Sequence, residues 1–461
     1  MLGAIEYVSA GAECSLAFGD GQRGRGGRLT TQGADTIRTI KMRLVAPLLL
    51  LLFLSTIDRA NVSFAALRMN ADLGLTPQSY GFGVSLFFVG YILLQLPSLW
   101  LLQRIGMRRW LFVITMLWGL AATCMAFVQS REMFYVLRVV LGIAEGGYAP
   151  GLMFYLASWV PRRFRAGAIS NVMLAVPISV ILGGPLSGWL MSIDNPLSWP
   201  GWRWMFLIEG IPTMLLSIAV LWLFADKPGA ARWLSPHQKR WLEEEIAREQ
   251  VQESSRVPIW SLLGRGQLWG ATACWFALMA GAQGLLYWLP QVIRHLVAGS
   301  SDIEVGVLSA LPWLAIGIGM LVNAWHSDRT QERYMHVAAA TLLGGILLAF
   351  TAMSGGGIAL LWLILAGVFL GAAQGTFWTV PPVFLSPAAL ATGIGIINMI
   401  GNLAGLVVPA AIGGIRERTG SFDMPVFAIS AVLVIGAALL LLLRSRPYGL
   451  PADGGASALQ Q

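Results

Sequence analysis

The feature that most constrains this chain is a series of long apolar stretches that recurs along nearly its whole length. An apolar stretch of about 18 residues or more can cross the hydrocarbon core of a bilayer as an α-helix. Of the 461 residues, 56% are hydrophobic and only 12% are charged. We identify twelve such stretches, at about 44–66, 80–102, 110–129, 133–157, 167–191, 202–224, 267–290, 304–326, 336–354, 358–381, 391–413 and 423–443. This pattern predicts an all-α membrane protein with twelve transmembrane helices.

A loop motif occurs twice, once in each half of the chain. Residues 103–109 read QRIGMRR after the second stretch, and residues 327–333 read SDRTQER after the eighth. Six helices, a polar segment and six more helices with the same loop indicate two fused, pseudo-symmetric halves. The predicted units are a tail at 1–43, a first half at 44–225, a linker at 226–266 with a surface helix at 236–250, a second half at 267–444 and a tail at 445–461.

The charges outside the apolar stretches predict the topology. The net charge is +8, and most of the 31 Lys and Arg lie in segments that are cytoplasmic if the N-terminus is inside. This asymmetry follows the positive-inside rule and places both tails in the cytoplasm. The basic loop clusters are therefore topology signals, and nucleic acid is not an expected partner. The tail at 1–43 is rich in Gly and Arg, and we expect it to be disordered.

Two pairs of charges interrupt the first and fourth apolar stretches. Asp58 and Arg59 lie in the first stretch, and Arg138 and Glu145 lie in the fourth. A charge at membrane depth costs at least about 2.5–3.5 kcal/mol, so such residues are functional-site candidates. Arg138 and Glu145 are seven positions apart, close to two helical turns, and therefore share a helix face. The sequence predicts that these four charges form the centre of a transport site.

The balance of these charges suggests a coupling chemistry. Asp58 and Glu145 neutralise Arg59 and Arg138 in an empty site, whereas protonation of both carboxylates leaves a net charge of +2. A carboxylate substrate would then stabilise the bound protons, and the protons would stabilise the substrate. A guanidinium suits the substrate because its planar fork matches a carboxylate. The alternative is a buried ionic network with only a structural role.

The helix interiors of the second half carry neutral polar residues instead. We expect these residues, together with Tyr91 of the second helix, to select the substrate through its hydroxyl groups. The alternative is that their amides form only interhelical hydrogen bonds. The candidates are Gln283 and Tyr287 in the seventh helix, Gln374 and Trp378 in the tenth, and Asn398 and Asn402 in the eleventh.

Several motifs in fixed order support a family resemblance. They are DRANVSFA at 58–65, GFG at 81–83, RVVLGIAEGGYAPG at 138–151, GGPLSG at 183–188, WRWMFLIEG at 202–210, FWTVPP at 377–382 and NMIGNLAG at 398–405. With these motifs the chain resembles the major facilitator superfamily, and within it the anion:cation symporter family. It is most similar to the bacterial branch that imports tartrate, phthalate, sugar acids and related organic acids.

The resemblance implies a fold, a function and roles for residues. It implies two six-helix halves that work by alternating access in the bacterial inner membrane, as a monomer without cofactor or metal, driven by the proton gradient. Asp58 and Glu145 correspond to proton carriers, and Arg59 and Arg138 to substrate ligands. Asn61 lies on the face of Asp58 and is placed with the substrate residues. One departure is Thr56, where relatives usually have an aromatic residue.

The two loop motifs resemble the gating motif of the superfamily. In that motif an acid at a helix end pairs with a basic residue or a helix dipole and holds one state closed. The corresponding residues are Arg104, Gly106 and Arg108 in the first loop and Asp328, Arg329 and Arg333 in the second. Gln103 replaces the acid in the first loop, so we expect that lock to be the weaker one.

Two other functions remain open from the sequence. The nearest is a proton-coupled exporter or antiporter, which Gly183-Gly184-Pro185 favours superficially. A membrane sensor without transport is the other, and the lack of an additional folded domain argues against it. An enzyme is not expected, because no nucleophile, metal or nucleotide motif is evident.

Overall fold

The computed structural model describes residues 31–193, 199–250 and 258–444. Within them, twelve helices are long and apolar enough to cross a membrane. This confirms the predicted all-helical class with twelve spans. The helices are α1 (Asp35–Asp72), α2 (Pro77–Gln95), α3 (Met107–Phe127), α4 (Arg131–Trp159), α5 (Gly167–Met191), α6 (Gly201–Leu223), α7 (Gly266–Leu296), α8 (Asp302–Thr330), α9 (Tyr334–Met353), α10 (Gly356–Phe377), α11 (Ala388–Thr419) and α12 (Asp423–Leu442).

The helical structure of the N-terminus begins earlier than expected. Residues 31–43 were expected to be disordered, but the chain is helical from Thr31 onwards. Ile37, Ile40 and Leu44 recur at helical spacing and are buried against the first half. This apolar face is enough to order the segment. Residues 1–30 and 445–461 of the two predicted tails lie outside the described residues.

The linker contains the predicted surface helix, at Pro236–Gln250. Leu242 of this helix is fully buried in a cluster that also contains Trp110 of α3 and Trp159 of α4. The linker is therefore attached to the end of the first half at which α3 begins and α4 ends.

Two spans of the first half are interrupted, α4 near its middle and α5 near its start. In α4, helix Arg131–Gly146 ends at Gly147 and a second helix, Tyr148–Trp159, continues the span. In α5, a short helix, Arg162–Met173, precedes the main segment, Ala175–Met191. The interruption in α4 comes two residues after Glu145 and so lies beside a core charge.

The two halves meet along three helix pairs, in which α1 packs on α7, α2 on α11 and α5 on α8. The α5–α8 contact is a close backbone contact: a Cβ atom on Gly306 would lie 2.4 Å from the carbonyl oxygen of Gly184. Only glycine permits this approach, because any side chain would separate the helices.

Several contacts between the halves cluster at the end of the bundle where α1 leads to α2 and α7 leads to α8. Arg68 of α1 pairs with the buried Asp302 of α8 at 2.5 Å. The backbone N–H of Gln78 in α2 donates to Glu417 of α11 at 2.8 Å. We call this the closed end. In the predicted topology the closed end faces the outside of the cell.

Candidate functional site

The first part of the site is an ion pair between α1 and α4. Arg59 donates from Nε to Glu145 Oε2 at 2.7 Å, and Ser55 donates from Oγ to the same oxygen at 2.9 Å. Glu145 is fully buried, whereas the side chain of Arg59 is 25% exposed although it lies at mid-span. Arg59 therefore lines accessible space inside the bundle. The hydroxyl of Thr56 donates to the carbonyl oxygen of Leu52 in the same helix and not to Glu145.

Aromatic rings of α2 and α7 surround the two arginines. The guanidinium of Arg59 lies 5.2 Å from the ring centre of Tyr91 and 5.4 Å from that of Phe87. The guanidinium of Arg138 lies 5.0 Å from Phe87 and 5.9 Å from Tyr287. Phe87 thus contacts both arginines. Such rings stabilise a cation without neutralising it, so the arginines stay available to an anion.

Arg138 differs from Arg59 in having no carboxylate partner among the described residues. It is only 1% exposed, and its Nε and Nη2 atoms have no hydrogen-bond acceptor in the described part of the chain. A buried cation without a counter-ion is unfavourable. The surroundings of Arg138 therefore favour the binding of an anion.

The second part of the site lies on the side of α1 that faces α3 and α6. Asp58 accepts from Trp118 Nε1 at 2.6 Å and from Asn61 Nδ2 at 3.5 Å. Asn61 Nδ2 also donates to Glu209 Oε2 at 3.0 Å, and Ser187 donates to Glu209 Oε1 at 2.9 Å. All five side chains are buried. This is a group of two carboxyl groups whose hydrogen-bond donors are neutral.

The structure thus divides the four core charges between two environments and does not gather them in one cluster as expected. Consecutive residues of an α-helix point about 100° apart, so Asp58 and Arg59 face different neighbours. Asn61, expected near the substrate, shares the face of Asp58 and is buried away from Arg59. Asp58 is still close enough to Glu145 to interact with its charge.

Four residues of the site were missed in the sequence: Ser55, Trp118, Ser187 and Glu209. Glu209 had a signal of its own, because it is an acid inside the apolar sixth stretch and was noted only as part of a family motif. Ser55 lies one helical turn before Arg59 and therefore shares its face. Trp118 and Ser187 carry no comparable signal, since both residue types are frequent in spanning helices.

Of the polar candidates of the second half, Tyr287 is the one for which the described residues show a contact with a core arginine. Tyr287 is fully buried beside Arg138. Trp378 packs against Trp275, with ring centres 4.6 Å apart. The four amide side chains form no hydrogen bond with the two arginines within the described chain. These half-buried residues are Gln283, Gln374, Asn398 and Asn402.

The first gating loop is anchored by an acid from another helix end. Gly106 has a φ of 83°, and a Cβ atom there would lie 2.7 Å from Asp226 Oδ1. Asp226 accepts from the backbone N–H of Arg108 at 2.9 Å, in the first turn of α3, where a carboxylate complements the helix dipole. Asp226 thus contributes an acid to a loop that has Gln103 in place of one. Arg104 stacks on Trp100 at 3.8 Å.

The second gating loop repeats one of these contacts and adds an ion pair. Arg329 stacks on Trp325 at 4.2 Å, which matches the Arg104 contact in the first half. Asp328 pairs with Arg333 at 2.7 Å. Glu332 accepts from the backbone N–H of Met335 at 2.8 Å. Partial burial raises the pKa of Glu332, but the hydrogen bonds from Met335 and from the neighbouring histidine outweigh it and lower the pKa. The helix cap is therefore kept at neutral pH and lost only in acid.

Comparisons with known proteins agree with this architecture. The chain is 39% identical, over 90% of its length and 92% of the relative's, to an Agrobacterium vitis protein named "Putative tartrate transporter". It is 34% identical, over 89% of its length and 95% of the relative's, to an Acinetobacter baumannii protein named "Quinolone resistance transporter". The solved structure of a D-xylose-proton symporter superposes with a TM-score of 0.72, at 17% identity, over 90% of this chain and all of that one.

The family comparison covers most of the chain. The sequence profile of the Major Facilitator Superfamily matches residues 48–409, which include every core charge described above. Members of this family are transporters and not enzymes. With its twelve spanning helices in two halves, the chain belongs to the Major Facilitator Superfamily.

Proposed function

We propose that this protein is a proton-coupled symporter that imports a small organic anion bearing a carboxylate, such as a sugar acid, dicarboxylate or aromatic acid. It belongs to the anion:cation symporter branch and works as a monomer without a cofactor. It lies in the inner membrane with both termini in the cytoplasm. The observation that carries the proposal is Arg138, a buried guanidinium inside a membrane-spanning helix without a carboxylate partner among the described residues.

The substrate carboxylate binds Arg138 and competes with Glu145 for Arg59. A guanidinium can bind a carboxylate through two parallel N–H donors, which gives the contact both strength and direction. When the substrate displaces Glu145 from Arg59, the freed carboxylate is left buried and takes up a proton. Substrate and proton binding therefore support each other. Polar groups of the second half, such as Gln283, bind the remainder of the substrate.

The membrane potential sets the minimum stoichiometry. An anion that enters an inside-negative cell moves against the voltage, at a cost of about 2.3 kcal/mol per charge for each 100 mV. One proton per negative charge makes entry electrically neutral, and each additional proton drives accumulation. The proposed cycle therefore requires at least one proton for a monocarboxylate and two for a dicarboxylate.

Purified protein in proteoliposomes tests this proposal. A panel of L-tartrate, phthalate, galactonate and benzoate is offered with an imposed pH gradient, acid outside. We expect at least one acid to accumulate above its external concentration in liposomes that contain the protein and not in protein-free liposomes, which report the passive entry of neutral benzoic acid. Accumulation should stop when a protonophore dissipates the gradient. D-Xylose serves as an uncharged control. The proposal fails if no acid of the panel enters, or if uptake is indifferent to the pH gradient.

A second candidate function is proton-driven export. It is favoured by the similarity to the Acinetobacter baumannii protein named "Quinolone resistance transporter". Inverted and right-side-out vesicles separate the two directions, since an exporter loads inverted vesicles and an importer loads right-side-out ones. A fluoroquinolone added to both preparations tests the export substrate directly.

A further inference from the structure

Asp58 and Glu209 form a pair of carboxyl groups behind the anion site. They accept from the same atom, Asn61 Nδ2, at 3.5 and 3.0 Å. Asp58 is 2% exposed and Glu209 is 5% exposed. Their other hydrogen bonds come from Trp118 and Ser187, which are uncharged. Within the described residues, no arginine or lysine forms an ion pair with either carboxyl group.

Two ionised carboxylates in this arrangement would be very unfavourable. Each buried charge loses its hydration, and two like charges that share one donor repel each other. Carboxyl groups in such pairs commonly share one proton. The arrangement at Asp58 and Glu209 has the features that favour such sharing.

The side chain of Asn61 supplies a separate observation. It is 1% exposed, and its Oδ1 atom is a buried acceptor without a donor among the described residues. The hydroxyl of a protonated carboxyl group is a donor of the kind this atom lacks. With one proton on the pair, a rotation of the Asn61 amide would let Nδ2 donate to the carboxylate and Oδ1 accept from the protonated carboxyl group. The amide thus fits a pair that carries one proton.

We propose that Asp58 and Glu209 together hold one proton, and that Glu209 is a proton-coupling residue of this transporter. The coupling role rests on the function proposed above, whereas the shared proton does not. The charge of Glu145 of α4 acts on Asp58, and Glu145 in turn binds Arg59 of α1. A substrate that displaces Glu145 from Arg59 uncovers the negative charge of Glu145, and until Glu145 is itself protonated this charge strengthens the hold of the pair on its proton.

Infrared difference spectroscopy of the purified, substrate-free full-length protein tests the shared proton. The wild type should show a carbonyl band of one protonated carboxyl group that disappears as the pH is raised. Asp58→Asn and Glu209→Gln should each change this same band, because the proton belongs to both residues. The proposal is overturned if no titrating band exists, or if Glu209→Gln leaves the band as in the wild type.

Transport assays test the coupling role in the same variants. We expect Glu209→Gln to lower accumulation driven by the pH gradient by about 10-fold or more, while substrate exchange without a gradient stays within about 2-fold. Glu209→Asp keeps a carboxyl group and should retain part of the accumulation. Glu132→Gln is the matched control, since Glu132 is an exposed glutamate at the start of α4.

The infrared measurement and the transport assay together distinguish failure of this inference from failure of the proposed function. A shared infrared band without transport of any acid keeps the shared proton and refutes the symporter proposal. Gradient-driven uptake that survives Glu209→Gln unchanged keeps the symporter and refutes the coupling role of Glu209. If Glu209→Gln fails to fold, Glu209→Asp carries both measurements. Glu209→Asp could leave both the infrared band and the accumulation ratio unchanged while Asp58→Asn alters both. That result would assign the proton to Asp58 alone.

Discussion

At the scale of single residues, the two arginines of the site are chemically alike but differently placed. Arg59 is held by Glu145 and is partly exposed, whereas Arg138 is buried and has no carboxylate partner among the described residues. Both contact the ring of Phe87. In the proposed function, Arg138 binds the substrate anion and Arg59 passes from an internal to an external carboxylate.

We expect Arg138→Gln to lower substrate affinity by about 100-fold, because hydrogen bonds to a charged group contribute up to about 3 kcal/mol. Arg138→Lys keeps the charge but loses the planar fork. Its substrate affinity should therefore lie between that of the wild type and that of Arg138→Gln. Equilibrium binding of an acid found in the transport panel is the measurement. Arg131→Gln, at the exposed start of α4, is the control. Unchanged affinity in Arg138→Gln would remove Arg138 from the site.

The sequence predicted which residues carry charge in the core, but not how they pair. Asp58, Arg59, Arg138 and Glu145 are conspicuous because each interrupts an apolar stretch. Their partners depend on how each helix is rotated about its axis, which only tertiary packing determines. The bond between Asn61 and Glu209 joins residues 148 positions apart. No local pattern around Asn61 indicates such a partner.

At the scale of helices, Asp302 at the start of α8 connects three spans at the closed end. It pairs with Arg68 of α1 and Arg294 of α7. Asp302 itself is buried, and the backbone of α8 there lies against Gly188 of α5. Asp302 therefore provides one of the links between the two halves at this end. Both arginines are partly exposed, so water and salt weaken each pair.

Replacement of this carboxylate should favour opening of the closed end. We expect Asp302→Asn to weaken closure by about 1–2 kcal/mol, or roughly 10-fold in the open-to-closed ratio. The measurement is the labelling rate of Ser85→Cys, a buried position between α2 and α11, by a membrane-impermeant thiol reagent. Asp423→Asn, at an exposed position of α12, should leave the rate unchanged. Equal rates with and without Asp302 would show that it does not control opening.

Apolar length predicted the spans well and their interruptions poorly. The count of twelve is confirmed, because the bilayer demands long apolar helices whatever their packing. The interruption at Gly147 was not predicted, since Gly146-Gly147 is compatible with either a continuous or a broken spanning helix. The helical start at Thr31 was missed because Ile37 and Ile40 lie in a mostly polar segment.

At the scale of the whole molecule, the two six-helix halves contact each other mainly through three pairs of helices. They meet through α1 with α7, α2 with α11 and α5 with α8. The backbone contact between Gly184 and Gly306 allows little compression. In the proposed alternating access, one half would rock against the other about these pairs.

Cysteine crosslinking tests the state of the whole molecule. In a background without Cys14, Cys124 and Cys274, Gln78→Cys with Glu417→Cys should be joined rapidly by a short bifunctional thiol reagent, because these positions are hydrogen-bonded across the halves. Crosslinked protein should lose transport, and reduction of a cleavable crosslink should restore it. Each single-cysteine variant is the control. Full activity of the crosslinked protein would argue against opening of this end during the cycle.

The unequal distribution of charge between the halves has an evolutionary consequence. The core charges described above come from the first half, and the second half contributes the ring of Tyr287 beside Arg138. Mutations in the second half can therefore change which substrate is transported without changing the proposed coupling to protons. Hybrid proteins that exchange second halves between relatives should change which nutrient supports growth while keeping the same driving force.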